Sequence, residues 1–258
     1  MKTKSIFWIG FAALVLTLIC SAKPLSAQSG QQEQPPKPTL DKDKQPLQTG
    51  ELTLNAPTAP TVNPEEEAAY KTFQEAPTAD MPKKLLLGED FATKYPRSRY
   101  LSGVYSIMVV GYSVTGQAPN LISTGEKALA INPNDVNVLA MLSQAMPRSL
   151  DIKAPTAALT LDKAEQYGKR AIDIVTTLAK PENLTDDAFA GAKAQVMSLA
   201  HGGLGTVCWR RGKYADAIPE LDQAVKLVKD PDPVNLFLLG IVNEKTSHFD
   251  DAVSAFTR

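Results

Sequence analysis

The sequence predicts an all-α protein, a right-handed α-solenoid of helix-turn-helix repeats that follows a signal peptide and a disordered linker. Three observations predict it. The 258 residues are 43% hydrophobic but only 7% aromatic, a balance that suits packed helices better than a β-sandwich. From Asn63 onward apolar residues recur at three- and four-residue spacing, with breaks at Pro and Gly and no period-2 strand pattern. Last, a block of residues returns 35 positions later: Leu204, Gly205, Tyr214, Ala217, Ile218 and Leu221 reappear as Leu239, Gly240, Phe249, Ala252, Val253 and Phe256. Six matches in one register mark a stacked repeat.

Taken in chain order, residues 1–27 read as a signal peptide. Lys2 and Lys4 precede an apolar run from Ile6 to Cys20, and Leu25-Ser26-Ala27 ends in the small residue that signal peptidase requires. Cleavage is expected after Ala27, with Ala22 as the alternative. Acylation of Cys20 is disfavoured by Ile19, which stands where lipoprotein signals carry a small residue. Loss of the segment removes three lysines, taking the formal charge from -1 to -4, and leaves Cys208 as the single cysteine. No intrachain disulfide can then form, so stability must come from packing.

Residues 28–62 read as a disordered Pro/Gln-rich linker. Gln31-Gln32-Glu33-Gln34-Pro35-Pro36-Lys37-Pro38 is typical of it, and the stretch has no aromatic residue, too little apolar surface to offset the entropy of ordering.

The ordered domain is expected over 63–258. Asn63-Pro64-Glu65-Glu66 supplies a cap, a proline at the first helical position and acids in the first turn. The repeats fall at about 64–97, 98–135, 136–180, 185–231 and 233–258, the last incomplete. In the second, a first helix is expected from about Ser98 to Thr115, and Gly125 to Asn134 gives the second helix and exit turn. Gly168-Lys169-Arg170-Ala171-Ile172 echoes that second helix 43 residues on, so the third repeat carries an insertion of about nine residues between Met146 and Leu159. Thr185 should cap a long first helix running to Trp209 in the fourth. Pro219 should bend the helix that holds it.

These residues resemble the tetratricopeptide repeat (TPR), whose pattern is Trp-x2-Leu-Gly-x2-Tyr, then Ala-x3-Phe, then Pro. Leu204-Gly205, Ala217-x3-Leu221 and Pro231 fit one copy; Leu239-Gly240 and Ala252-x3-Phe256 fit the next. His201 and Leu236 stand in place of Trp, and Cys208 and Asn243 in place of Tyr. Gly205 and Ala217 are expected to face each other where two helices approach closely.

The resemblance implies a non-enzymatic scaffold that binds a partner protein or peptide in a concave groove lined by the first helix of each pair. By carry-over the groove comprises Ser106, Val110, Ser113, Asn137, Ala140, Gln144, Thr206, Trp209, Arg210, Phe237, Ile241 and Glu244. Repeats that clamp a terminal carboxylate use Lys and Asn at places held here by Gly202, Thr206, Phe237 and Ile241, so an apolar or aromatic segment is the expected occupant. The alternative is a structural subunit of a cell-envelope complex, tethered at its N-terminus or self-associating through its last repeat. The expected location is the periplasm or the exterior.

No catalytic set, metal site or cofactor is expected. Gly111-x4-Gly116 is followed by Gln117-Ala118 rather than the Lys-Ser/Thr that a phosphate-binding loop needs. Gly202-Gly203-Leu204-Gly205 has no preceding strand and reads as close helix contact. His201, His248 and Cys208 are too few to announce a metal site or a nucleophile. Glu65-Glu66-Glu67 and Asp250-Asp251 read as charged helix starts, and Thr185, within Asn183-Leu184-Thr185, as a cap rather than a glycosylation signal. A charge near neutrality gives nucleic acid no cationic field.

Overall fold

The computed structural model describes residues 63–258, so the expected signal peptide and linker lie outside the described residues. Ten α-helices make up the described chain: α1 (Pro64–Glu75), α2 (Met81–Lys94), α3 (Leu101–Val114), α4 (Ala118–Ile131), α5 (Val136–Arg148), α6 (Ala157–Thr177), α7 (Asp186–Arg210), α8 (Tyr214–Lys226), α9 (Pro233–Lys245) and α10 (Phe249–Thr257). Among the described residues there is no strand. The helices form five successive pairs.

Side-chain caps mark the starts of four of the five first helices, α3 being the exception. The Asn63 side chain accepts from the Glu65 amide at 3.1 Å, Asp135 from Val138 at 3.2 Å, Thr185 from Ala188 at 3.2 Å and Asp232 from Val234 at 2.9 Å. Each satisfies an amide that the first turn leaves without a helical partner. The C-terminus of α1 is held differently. Lys84, almost fully buried, donates from Nζ to the carbonyls of Gln74 at 3.1 Å and Ala76 at 2.6 Å. Burial holds its pKa below the ordinary lysine value.

In the second, fourth and fifth pairs the first helix turns into the second by a device that repeats. The Lys213 amide donates to the Cys208 carbonyl, Gln117 to Tyr112 and His248 to Asn243, at 2.9, 2.8 and 2.9 Å. These are six-to-one closures of the Schellman type. Each needs a left-handed residue, supplied by Gly212, Gly116 and Ser247 at φ 73°, 71° and 65°. In the third pair a longer connection replaces this turn: residues 149–156 separate α5 from α6. Pro219 sits inside α8, and Pro147 near the end of α5, without interrupting either helix.

Successive first helices α3, α5, α7 and α9 pack on one another, and each second helix packs on the following first helix. Glycines in the second helices receive the large side chains of the next first helix. A Cβ at Gly88 would meet Met108, one at Gly125 would meet Leu142, and one at Gly168 would meet Leu204. The apolar core falls into two clusters. The larger runs from Phe73 to Val207; the smaller holds Ala217, Leu221, Val225, Leu238, Leu239, Val242 and Ala255. α7 contributes to both, with Val196, Ala200 and Val207 in the larger and the partly buried Cys208 and Trp209 against the smaller.

Candidate partner-binding surface

The Gly202-Gly203-Leu204-Gly205 run is a point of close helix contact. A Cβ on Gly203 would lie 2.6 Å from the backbone carbonyl of Ser143 in α5, and one on Gly202 would lie 2.6 Å from the Asn235 amide in α9. On the opposite side, a Cβ on Gly205 would come within 2.5 Å of Leu221 Cγ. Ala217 is fully buried one turn away, so Leu221, not Ala217, is the residue that Gly205 admits. A larger residue opposite the glycine uses the space fully; an Ala there would leave a void. The same lock recurs 35 residues on, where Gly240 admits the ring of Phe256.

The fold is tetratricopeptide-like. No family model matches the sequence, and no curated protein is similar to it. Among solved structures it is similar to a thermophilic TPR protein from Thermus thermophilus, with a TM-score of 0.47 and 16% identity over 74% of this chain and 88% of that one. It is also similar to MamA from Desulfovibrio magneticus RS-1, beginning at residue 41, with a TM-score of 0.44 and 16% identity over 76% of this chain and 93% of that one.

The residues carried over to the groove do not share one environment. Val110, Asn137 and Thr206 are buried, as are Ser106 and Ala140. They belong to the packing between first helices and present nothing to a partner. The Thr206 hydroxyl donates to the Gly202 carbonyl at 2.7 Å within its own helix, and the Ser106 hydroxyl pairs with the Asp135 carboxylate at the start of α5. Ser113, Gln144, Trp209, Arg210 and Ile241 are half-buried, while Glu244 and Phe237 are exposed.

Two of the half-buried groups already have partners. Arg210 donates from Nε to the Pro147 carbonyl at 2.9 Å and from Nη2 to that of Arg148 at 3.3 Å, meeting the exposed C-terminal carbonyls of α5. Its guanidinium also lies 4.7 Å from the Trp209 ring. Gln144 reaches Asp232 at 3.5 Å. Beside it Arg148, which the sequence reading passed over, donates to Asp232 at 2.6 Å and Asn235 at 2.7 Å. The partner Asp232 lies 84 residues further along the chain, and no periodicity in the sequence connects the two.

Phe237 opens onto a different surface. Its ring lies 6.0 Å from Phe256 in a tilted pair, and Phe249 and Val253 continue the patch along α10 with 62% of each exposed. The equivalent residues of the preceding pair, Tyr214, Ile218 and Leu221, are packed in the smaller core under α9.

The histidines and the cysteine do not converge. His201 Nδ1 lies 2.7 Å from Glu220, His248 lies 2.8 Å from the Thr246 hydroxyl, and burial raises the Cys208 thiol above its ordinary range. A protonated thiol is a weak nucleophile. Among the described residues no His, Cys, Asp and Glu side chains group so as to hold a metal ion.

Proposed function

We propose that the protein is an exported scaffold that binds a partner protein through an apolar or aromatic segment, laid against the exposed face of its last two helices and the adjoining groove. The observation that carries this reading is the patch formed by Phe237, Phe249, Val253 and Phe256, each 47–62% exposed and next to one another across α9 and α10. Soluble proteins rarely leave several large apolar side chains together in water unless something covers them. Aromatic anchors are also the residues that dominate binding energy in protein interfaces. Ile241 and Glu244 border the patch on α9 and would set its apolar and acidic edges.

A photo-crosslinking amino acid placed at Phe237 and at Val253 tests the reading in cells. A discrete adduct with another protein supports it. Absence of any adduct, with the protein folded and abundant, overturns it. An adduct of twice the chain's own mass would favour the second reading, self-association through the last helix pair as part of an envelope complex.

Export rests on Lys2, Lys4, the apolar run and Ala27. The mature chain should begin near Gln28 and be recovered outside the cytoplasm. N-terminal sequencing checks it, and purified cellular protein beginning at Met1 would refute it.

A further inference from the structure

The second helices α2, α4, α6 and α8 each have one face covered by the first helix of the next pair. Equivalent positions can be fixed from the turns. Gly125, Leu221 and Phe256 each stand nine residues after the left-handed residue of their turn, Gly116, Gly212 and Ser247, and Gly168 is the counterpart of Gly125 in the 43-residue echo. Over Gly125 and Gly168 the next first helix lays Leu142 and Leu204. Leu221 shares the smaller core with Leu238 and Leu239 of α9. On α10 the same face carries Phe256, flanked by Phe249 and Val253, and it is open: Phe249 is 62% exposed, whereas its counterpart in α6, Leu161, is 3% exposed beneath α7.

A charge continues the pattern. Arg211, at the end of α7, donates to Asp162 near the start of α6 at 2.5 Å. At the equivalent place α10 has Asp250, while α4 and α8 have Pro119 and Ala215. Asp250 is exposed and forms no ion pair among the described residues.

We infer that the α10 face seats an amphipathic helix of a partner protein, docked as a further first helix, with a leucine-type side chain against Ala252 and Phe256 and an arginine or lysine at its C-terminal end over Asp250. The inference rests on the scaffold reading and names the partner segment for it. The orientation follows from α6 and α7, where the end of the first helix meets the start of the second, and a cation is favoured at a helix C-terminus. Apolar anchors at helical spacing are how a helix is recognised by such a face. A second copy stacked head to tail would bring α1, which has no Leu, Ile, Val or Met and exposes Lys71, Gln74 and Glu75.

Stapled helical peptides titrated into the full chain test the seat, with fluorescence anisotropy as the readout. The parent peptide has a central leucine and a C-terminal arginine, and it should bind. Serine in place of its leucine, or Val253→Glu in the protein, should weaken binding at least about tenfold, the value of burying one such side chain. Glutamate in place of its arginine should weaken binding about two- to fivefold, the worth of an exposed ion pair, and Asp250→Lys should reverse that preference. An extended, proline-containing peptide with the same side chains that binds as well as the helix overturns the inference and leaves the scaffold reading standing. So does a preference for arginine that survives Asp250→Lys, or binding that Val253→Glu leaves unchanged. If no peptide binds while a crosslinked adduct still forms at Val253 in cells, this inference alone fails; if the adduct is absent too, the scaffold reading fails with it.

Discussion

Three residues in left-handed conformation close the turns of the second, fourth and fifth pairs, and their side chains differ. Gly116 and Gly212 adopt φ near 70° at no steric cost, and a Cβ at either would meet nothing within 4 Å. Ser247 adopts the same conformation with a Cβ. Left-handed backbone costs an ordinary L-residue about 1–2 kcal/mol. Gly212→Ala should therefore lower stability by about 1 kcal/mol through backbone strain alone, whereas Ser247→Gly should be neutral or stabilising by up to about 1 kcal/mol. Urea unfolding of the two variants checks the opposed signs, and destabilisation of comparable size by both would refute the argument. Gly203→Ala belongs to another class, because its methyl would meet the Ser143 backbone, which cannot rotate away. The sequence announced both kinds of glycine without telling them apart. Local chemistry shows that a glycine is present; the atom it must avoid comes from a helix distant in the chain.

At the scale of the helix, α1 is fastened by polar contacts in addition to apolar ones. Phe73 is its one fully buried aromatic side chain. The three glutamates of its first turn, which sequence reasoning assigned to the helix dipole, reach beyond their own helix. Glu65 lies 3.7 Å from Lys94, Glu66 accepts from the Ser98 hydroxyl at 2.5 Å, and Glu67 accepts from the Tyr100 hydroxyl and Arg99, each at 2.7 Å. The hydrogen bond from Tyr100, followed by that from Arg99, outweighs desolvation and holds the Glu67 carboxyl below its ordinary pKa. A lowered carboxylate pKa contributes stability that is present above the unfolded-state value and is lost as pH falls through the folded one. Acidification below the ordinary glutamate range should thus release α1 before α5–α8. Hydrogen exchange over residues 67–76 measures it. Tyr100→Phe, which leaves the glutamates and the dipole intact, should speed exchange there at neutral pH, and unchanged protection would show that the dipole alone accounts for these residues.

The helix pairs themselves were legible because each rests on local signals: Asn63 and Thr185 as caps, the three-and-four spacing, and the 35-residue echo. Gly205→Leu should still cost about 1–3 kcal/mol by overpacking, now against Leu221. A thermal midpoint unchanged from wild type would show the lock to be absent. What the echo could not supply is exposure. Thr206 and Phe237 were carried over on equal terms, yet one is buried and the other stands in solvent. Exposure depends on which helix comes next in the stack, a property of the assembled array rather than of one repeat.

For the whole molecule this difference separates the two aromatic residues that the repeat pattern places together in the groove. Trp209 packs against the smaller core and carries Arg210 on its ring. Phe237 is 57% exposed and touches Phe256 at the rim. Removing a core aromatic costs roughly 3–5 kcal/mol, less for a half-buried one, and truncating an interface anchor typically costs about 2 kcal/mol or more of binding, about a 30-fold loss. Trp209→Ala should therefore lower the unfolding midpoint clearly, and Phe237→Ala should leave stability within about 0.5–1 kcal/mol of wild type while weakening capture of the protein crosslinked at Val253. Parallel melting curves and binding titrations decide it. If Phe237→Ala binds as wild type does, the α9–α10 face is not the contact surface. If Trp209→Ala melts as wild type does, the smaller core does not depend on this ring.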